Sequence, residues 1–211
     1  MRPATADELV DVVADHVSDA RVVDAFRAVR REGFVPPGLV DEAYVDAPLP
    51  IPHGQVTTQP SLVARMVEAL ALRGDERVLE IGSGYGFQTA ILAHLVAAVW
   101  SVERWPDLAA TARENLARAG VENAEVVDGD GTEGLTDRAP FDAVLVSAAF
   151  PDVPPPLVEG LAPGGRLVQP LGSGGAEEVV LFERTAAGLE RRRTVTGARF
   201  VQLFGRHGFP P

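Results

Sequence analysis

Two stretches near the start carry apolar residues at helical spacing. Leu9, Val10, Val12, Val13 and Val17 follow a Thr5-x-x-Glu8 capping pattern, which predicts a helix over residues 6–17. Val22, Val23, Phe26 and Val29 share one face of a second helix, over residues 19–31, stopped by Gly33. The period then disappears. Residues 34–60 are rich in proline and glycine yet hold Phe34, Val35, Tyr44, Leu49 and Ile51, so an ordered loop lining an active site is expected. Ser61 reads as the cap of a third helix through Leu62, Val63, Met66, Val67 and Leu70, ending near Gly74.

Beyond this point strands and helices alternate. Apolar runs at 78–81 and 99–102 bracket a helical segment, and Pro106 opens another helix that stops at Gly120. A short strand at 125–127, a strand at 142–146 and a brief helix at 154–161 follow; the Pro163-Gly164-Gly165 turn then leads into a strand at 166–168. Such alternation predicts an α/β fold with a doubly wound, mainly parallel sheet. Segments 178–183, 189–195 and 199–204 read as strands joined by short turns, an antiparallel edge on that sheet. The run Arg191-Arg192-Arg193 would blunt the edge against aggregation.

The most informative stretch is residues 77–92, RVLEIGSGYGFQTAIL. A buried strand ends in Glu80, three glycines follow as G-x-G-x-G, and a helix starts at once. Gly82 and Gly84 allow a sharp turn and close approach of a ligand to the backbone, and the helix N-terminus offers free N–H groups. The dinucleotide fingerprint needs a further glycine where Phe87 stands, which weakens a nicotinamide reading. Glu80 is placed to meet a cationic group. Glu103, at the end of the second strand, stands where an acid commonly holds ribose hydroxyls. A ligand with an ammonium and a ribose fits both, and S-adenosylmethionine has both. The plain alternative is a loop with two solvated strand ends.

Charge and composition narrow the field. The 211 residues suit one domain, and the formal net charge of −11 opposes a partner held through phosphate neutralisation, so no nucleic-acid partner is expected. There is no cysteine, hence no disulfide or thiolate chemistry. No window supplies the apolar length of a membrane span, so no membrane partner is expected; the first residues lack a secretory layout, which gives a cytoplasmic expectation. His16, His53, His94 and His207 have no ligand spacing, and no metal site is expected.

Several segments together resemble one family, the protein-L-isoaspartate (D-aspartate) O-methyltransferases. They are FVP at 34–36, AYVDAPLPIPHGQ at 43–55, TQP at 58–60, VLEIGSGYGFQTAILA at 78–93, VER at 102–104, GDG at 129–131, FDAVLVSAA at 141–149, PGGRLVQPLG at 163–172 and RFVQL at 199–203. The resemblance implies a Rossmann-like methyltransferase over residues 1–211, with a helical preface at 1–33, an active-site loop at 34–60 and the core at 61–211. It implies S-adenosylmethionine as cofactor, with Gly82, Ser83 and Gly84 under its methionine part, Glu80 in support and Glu103 on the ribose. Asp130 and Gly131 would meet the adenine, the Asp130 carboxylate accepting from its amine, and His53, Gln55 and Arg104 would complete the contacts. Thr58 would position the substrate carboxylate, with Thr57, Phe200 and Val201 beside the substrate. A monomer acting on isoaspartyl peptides or proteins is expected.

In that family the positioning hydroxyl lies in a Thr-Ile-Ser-type segment, where this chain reads Val56-Thr57-Thr58. The departure leaves two readings of Thr58 open, a substrate contact or a cap for the helix that follows. It also admits a same-fold enzyme acting on another carboxylate, such as an aspartate of a natural-product peptide. A third reading is a binding module without turnover.

Overall fold

The computed structural model describes residues 5–210; residues 1–4 and 211 of the expected 1–211 domain lie outside it. In chain order its elements are α1 (Ala6–Ala14), α2 (Ala20–Ala28), β1 (Leu49–Ile51), β2 (Gln55–Thr57), α3 (Pro60–Ala69), β3 (Arg77–Ile81), α4 (Phe87–Leu95), β4 (Ala98–Glu103), α5 (Pro106–Arg118), β5 (Ala124–Asp128), β6 (Phe141–Val146), α6 (Pro155–Gly160), β7 (Leu161–Leu171), β8 (Glu177–Thr185) and β9 (Gly188–Ala198). Among the described residues one seven-stranded sheet has the order β5-β4-β3-β6-β7-β8-β9. The strands from β5 to β7 pair in parallel, and β8 and β9 add antiparallel. This is the doubly wound α/β arrangement the alternation predicts.

Apolar cover on both faces explains why the central strands are buried throughout. Val78, Ala143 and Leu145 face a core shared with α1 to α5, while Leu79, Ile81, Val144 and Val146 face a second core under α6. Phe26 of α2 meets Phe87 of α4 edge-on at 5.7 Å between ring centroids, and Phe34 lies 6.0 Å from the same ring. Burying a side chain of that size contributes about 1.5–3 kcal/mol, so the preface docks on the sheet through α4.

Helix ends differ from the periodic reading for local reasons. The capping box of Thr5 and Glu8 forms, but α1 stops at Ala14 rather than at residue 17. There the Glu68 carboxylate accepts from the Ser18 hydroxyl (3.0 Å) and the Asp19 amide (2.8 Å), and Asp19 in turn caps α2. α3 starts at Pro60 with Gln59 as its cap residue, so neither Ser61 nor Thr58 caps it. The Ser61 hydroxyl donates to Asp46 instead (2.8 Å). Ala71 then takes a positive φ of 47°, which ends the helix well before Gly74.

The largest difference lies at residues 199–204, read as a strand. They leave the sheet after β9 and cross the carboxyl ends of the strands, where Ala149 and Leu203 exchange backbone bonds of 2.8 Å with Val201 and Ala149 carbonyls. Their alternation serves a loop-to-loop pairing. β9 is therefore the edge, and its three arginines are exposed, Arg191 paired with Glu178 and Arg192 with Glu183 and Glu190.

Candidate active site

From β3 the sheet grows outward through β4 and β5, and the chain then returns to β6 on the other side of β3. In open α/β sheets ligands sit in the crevice at such a reversal, at the carboxyl ends of the strands. A cavity lies there. Its floor is the glycine turn after β3, Glu103 and Arg104 after β4, Gly131 after β5 and Ser147 after β6; its roof is Gln55 to Thr58 and residues 201–204.

The glycines fit the turn they were assigned to. Gly82 and Gly84 have φ of 93° and 53°, a region that other residues enter only under strain. Gly131 is required for a different reason: a Cβ there would sit 2.4 Å from Ile81 Cγ2. The turn is tied down by Glu103, whose carboxylate accepts from the Gly84 amide (2.9 Å) and the Trp105 amide (3.1 Å). The Arg104 amide also pulls on the carboxylate, which still keeps acceptor capacity for a ligand. Burial pushes this carboxyl above its ordinary pKa, against the pull of those amides.

Glu80 sits deeper than its place in the motif indicated. It is fully buried, lies beneath the cavity rather than on its lining, and accepts from Gln88 Nε2 (2.8 Å) and the Thr89 hydroxyl. The loss of water around it raises its pKa. Gln88 reaches the cavity and also donates to Ser147 Oγ (2.8 Å), so Glu80 acts on the site through Gln88. Among the described residues neither Glu80 nor Glu103 is in a salt bridge, so Glu103 on the floor and Glu80 beneath it are two buried acids outside any ion pair.

Ser83, Gln55, Arg104, Thr58 and Val201 all line the cavity. The Thr58 hydroxyl makes no hydrogen bond among the described residues and the side chain is half-buried. Thr57 also lines the cavity, but its hydroxyl is engaged elsewhere. Its Oγ1 accepts from the Leu49 amide (3.2 Å) and from Arg31 Nη2 (3.0 Å), closing the β1–β2 hairpin. Arg31 is the hub of residues 43–58: buried to 1% exposure, it donates to the carbonyls of Ala43, Val45 and Ala47 at 2.8–3.0 Å. Desolvation lowers its pKa to about 10, and Asp46 opposes the shift. Sequence reading missed it because it fell at the expected end of a helix.

Three other expected contacts lie off the cavity. His53 stacks on Trp105 at 4.0 Å and 4°, its Nε2 2.9 Å from the Asp107 carboxylate, so Trp105 rather than His53 faces the site. The Asp130 carboxylate accepts from the Thr132 amide and hydroxyl (2.9 and 2.7 Å) and the Arg206 amide (2.6 Å), which fastens the C-terminal segment over Gly131. Its engagement with protein donors leaves the cavity side to Gly131. Phe200 packs against the core beside α3 and lines the groove next door. Gln88, Trp105, Ser147 and Phe204 are cavity residues that the motif reading did not reach. The polar pair Gln88-Thr89 in the first turn of a largely apolar α4 was the available signal for Gln88.

Comparison with known proteins agrees with this geometry. A family model described as protein-L-isoaspartate(D-aspartate) O-methyltransferase matches residues 4–208. A protein-L-isoaspartate O-methyltransferase of Anaeromyxobacter dehalogenans is 52% identical over 189 residues, 89% of this chain and 90% of that one. One from Methanoculleus marisnigri is 47% identical over 205 residues, 96% of this chain and 93% of its own. A solved protein-L-isoaspartate O-methyltransferase superposes with a TM-score of 0.85 at 27% identity, covering 97% of this chain and 67% of that one. Motifs, site and relatives run together over almost the whole sequence, and the chain belongs to the protein-L-isoaspartate (D-aspartate) O-methyltransferase family.

Proposed function

We propose that this protein transfers methyl from S-adenosylmethionine to the free carboxylate of L-isoaspartyl or D-aspartyl residues in peptides and damaged proteins. The observation that carries the reading is the cavity itself, a glycine turn with the buried Glu103 carboxylate on its floor and Glu80 beneath it, in a chain of this family. When bound, S-adenosylmethionine supplies an electrophilic methyl group on a positively charged sulfur. The site fits it: Gly82, Ser83 and Gly84 offer backbone close enough for the methionine part, and the remaining acceptor capacity of the Glu103 carboxylate suits a ribose hydroxyl. Glu80 fixes Gln88 at the edge of the cavity, and Gly131 leaves a flat place for the base.

The chain's own work is placement and exclusion of water. A peptide carboxylate is ionised at neutral pH and is itself the nucleophile, so no general base is required of the protein. Thr58 offers the carboxylate a hydroxyl donor, and its position is fixed because Arg31 holds the residues before it. Residues 201–204 and the β1–β2 hairpin close over the centre and strip water from the nucleophile. The neighbouring backbone amide nitrogen attacks the ester carbonyl and expels the methoxide as methanol, a far better leaving group than the oxide of a carboxylate; the resulting succinimide hydrolyses partly to ordinary aspartate. The whole of 1–211 acts as one domain and one monomer in this reading, and its place is the cytoplasm.

The departure at Thr57 does not favour a different carboxylate substrate, since that hydroxyl serves the hairpin. The test is the rate of methyl transfer to an isoaspartyl peptide set against its normal aspartyl twin.

A further inference from the structure

The cavity continues outward into a shallow groove that shares Val56, Thr58, Ser147 and Val201 with it. On the reading above, a peptide whose carboxylate meets Thr58 must run its neighbouring residues along this groove. Pro48, Leu62 and Phe200 give it apolar walls; Arg65 and Arg199 give it its charge, and among the described residues no Asp or Glu lines it. That is a local inversion in a chain with 30 acidic residues against 19 lysines and arginines.

The two arginines are available. Arg199 is exposed and has no hydrogen bond or ion pair among the described residues. Arg65 gives one N–H to the Val195 carbonyl (3.0 Å) and keeps the rest of its guanidinium without an ion pair. Acids do stand behind the wall. Asp46 accepts from Ser61 and Gln59, and one oxygen of buried Glu177 accepts from the Phe200 amide (3.0 Å), so each is engaged with wall residues and neither lines the groove.

We infer that this groove selects isoaspartyl peptides that carry a carboxylate, Asp or Glu, next to the damaged residue, with Arg65 and Arg199 as the specificity-determining residues. The net negative charge of the molecule repels such peptides at a distance, and the arginine pair reverses that preference at contact. Exposed pairs of this kind give a preference of roughly 1.5- to 5-fold per arginine.

The experiment uses three peptides identical around one isoaspartyl residue, with Glu, Gln or Lys beside it, and reads kcat and KM with the full chain. The expected order of kcat/KM is Glu above Gln above Lys, carried by KM and compressed when salt is raised to about 0.5 M. Arg65→Gln and Arg199→Gln should each shrink the Glu-to-Lys ratio. Arg27→Gln, which removes an equal charge from an exposed pair with Asp24 on α2, should leave it as it is. A wild-type ratio at or below one overturns the inference, and so does a ratio untouched by both groove substitutions. Absence of transfer to the Gln peptide would sink the proposed function itself, a separate failure.

Discussion

Thr58 carries the sharpest claim at the scale of single residues. Its hydroxyl has no protein partner among the described residues, and Gln59 rather than Thr58 precedes the first turn of α3. Thr58→Ala should therefore lower kcat/KM for an isoaspartyl peptide by about 100-fold, while Thr58→Ser stays within about threefold. A capping role predicts something else, a loss of about 1 kcal/mol of stability on Thr58→Ala, which urea unfolding would detect. The account expects less than half of that.

Glu80 allows a prediction with a definite sign. Its pKa is raised in the folded chain by burial, so the folded state holds its proton more tightly than the unfolded one. Its contribution to stability is complete below the ordinary glutamate value and is lost as pH rises through the folded one. Unliganded Glu80→Gln has no such loss, so its stability relative to wild type should improve from pH 4 to pH 8. The slope cannot exceed about 1.4 kcal/mol per pH unit. A flat difference would show that Glu80 titrates normally. At this scale the glycines and Glu103 were legible, because turn geometry and strand ends leave short-range marks. The partners of Asp130, Thr57 and Glu80 were not: Arg206 and Arg31 come from distant parts of the chain, and Gln88 and Thr89 meet Glu80 only because the turn folds α4 back over β3.

Among the elements, the hairpin of β1 and β2 depends on one guanidinium. Arg31 ties Ala43, Val45, Ala47 and Thr57 together from a position before the proline-rich segment. Arg31→Lys keeps the charge but cannot reach these acceptors at once, so about 3 kcal/mol of stability should go with the orphaned carbonyls. Amide exchange should rise across residues 43–58, and kcat should fall because Thr58 loses its support. Protection unchanged there would contradict the hub role. The sequence marked this segment as ordered through its buried-type residues, yet gave no period from which to place β1 and β2. The misreading of 199–204 has the opposite cause: alternation was present, but it reflects pairing with Ala149 rather than membership of the sheet.

Over the whole molecule, the alternation of elements was enough to anticipate a doubly wound sheet, because each helix must return the chain to a parallel neighbour. What alternation could not place was the roof, built from a hairpin before the core and a segment after it. The account rests on that roof and floor meeting around one carboxylate geometry. The measurement that tests it most directly is the initial rate of methyl transfer from labelled S-adenosylmethionine to a short isoaspartyl peptide and to its normal aspartyl twin. The expected result is transfer to the isoaspartyl peptide and background with the twin. Equal transfer to both, or none to either while S-adenosylmethionine still binds, would contradict it.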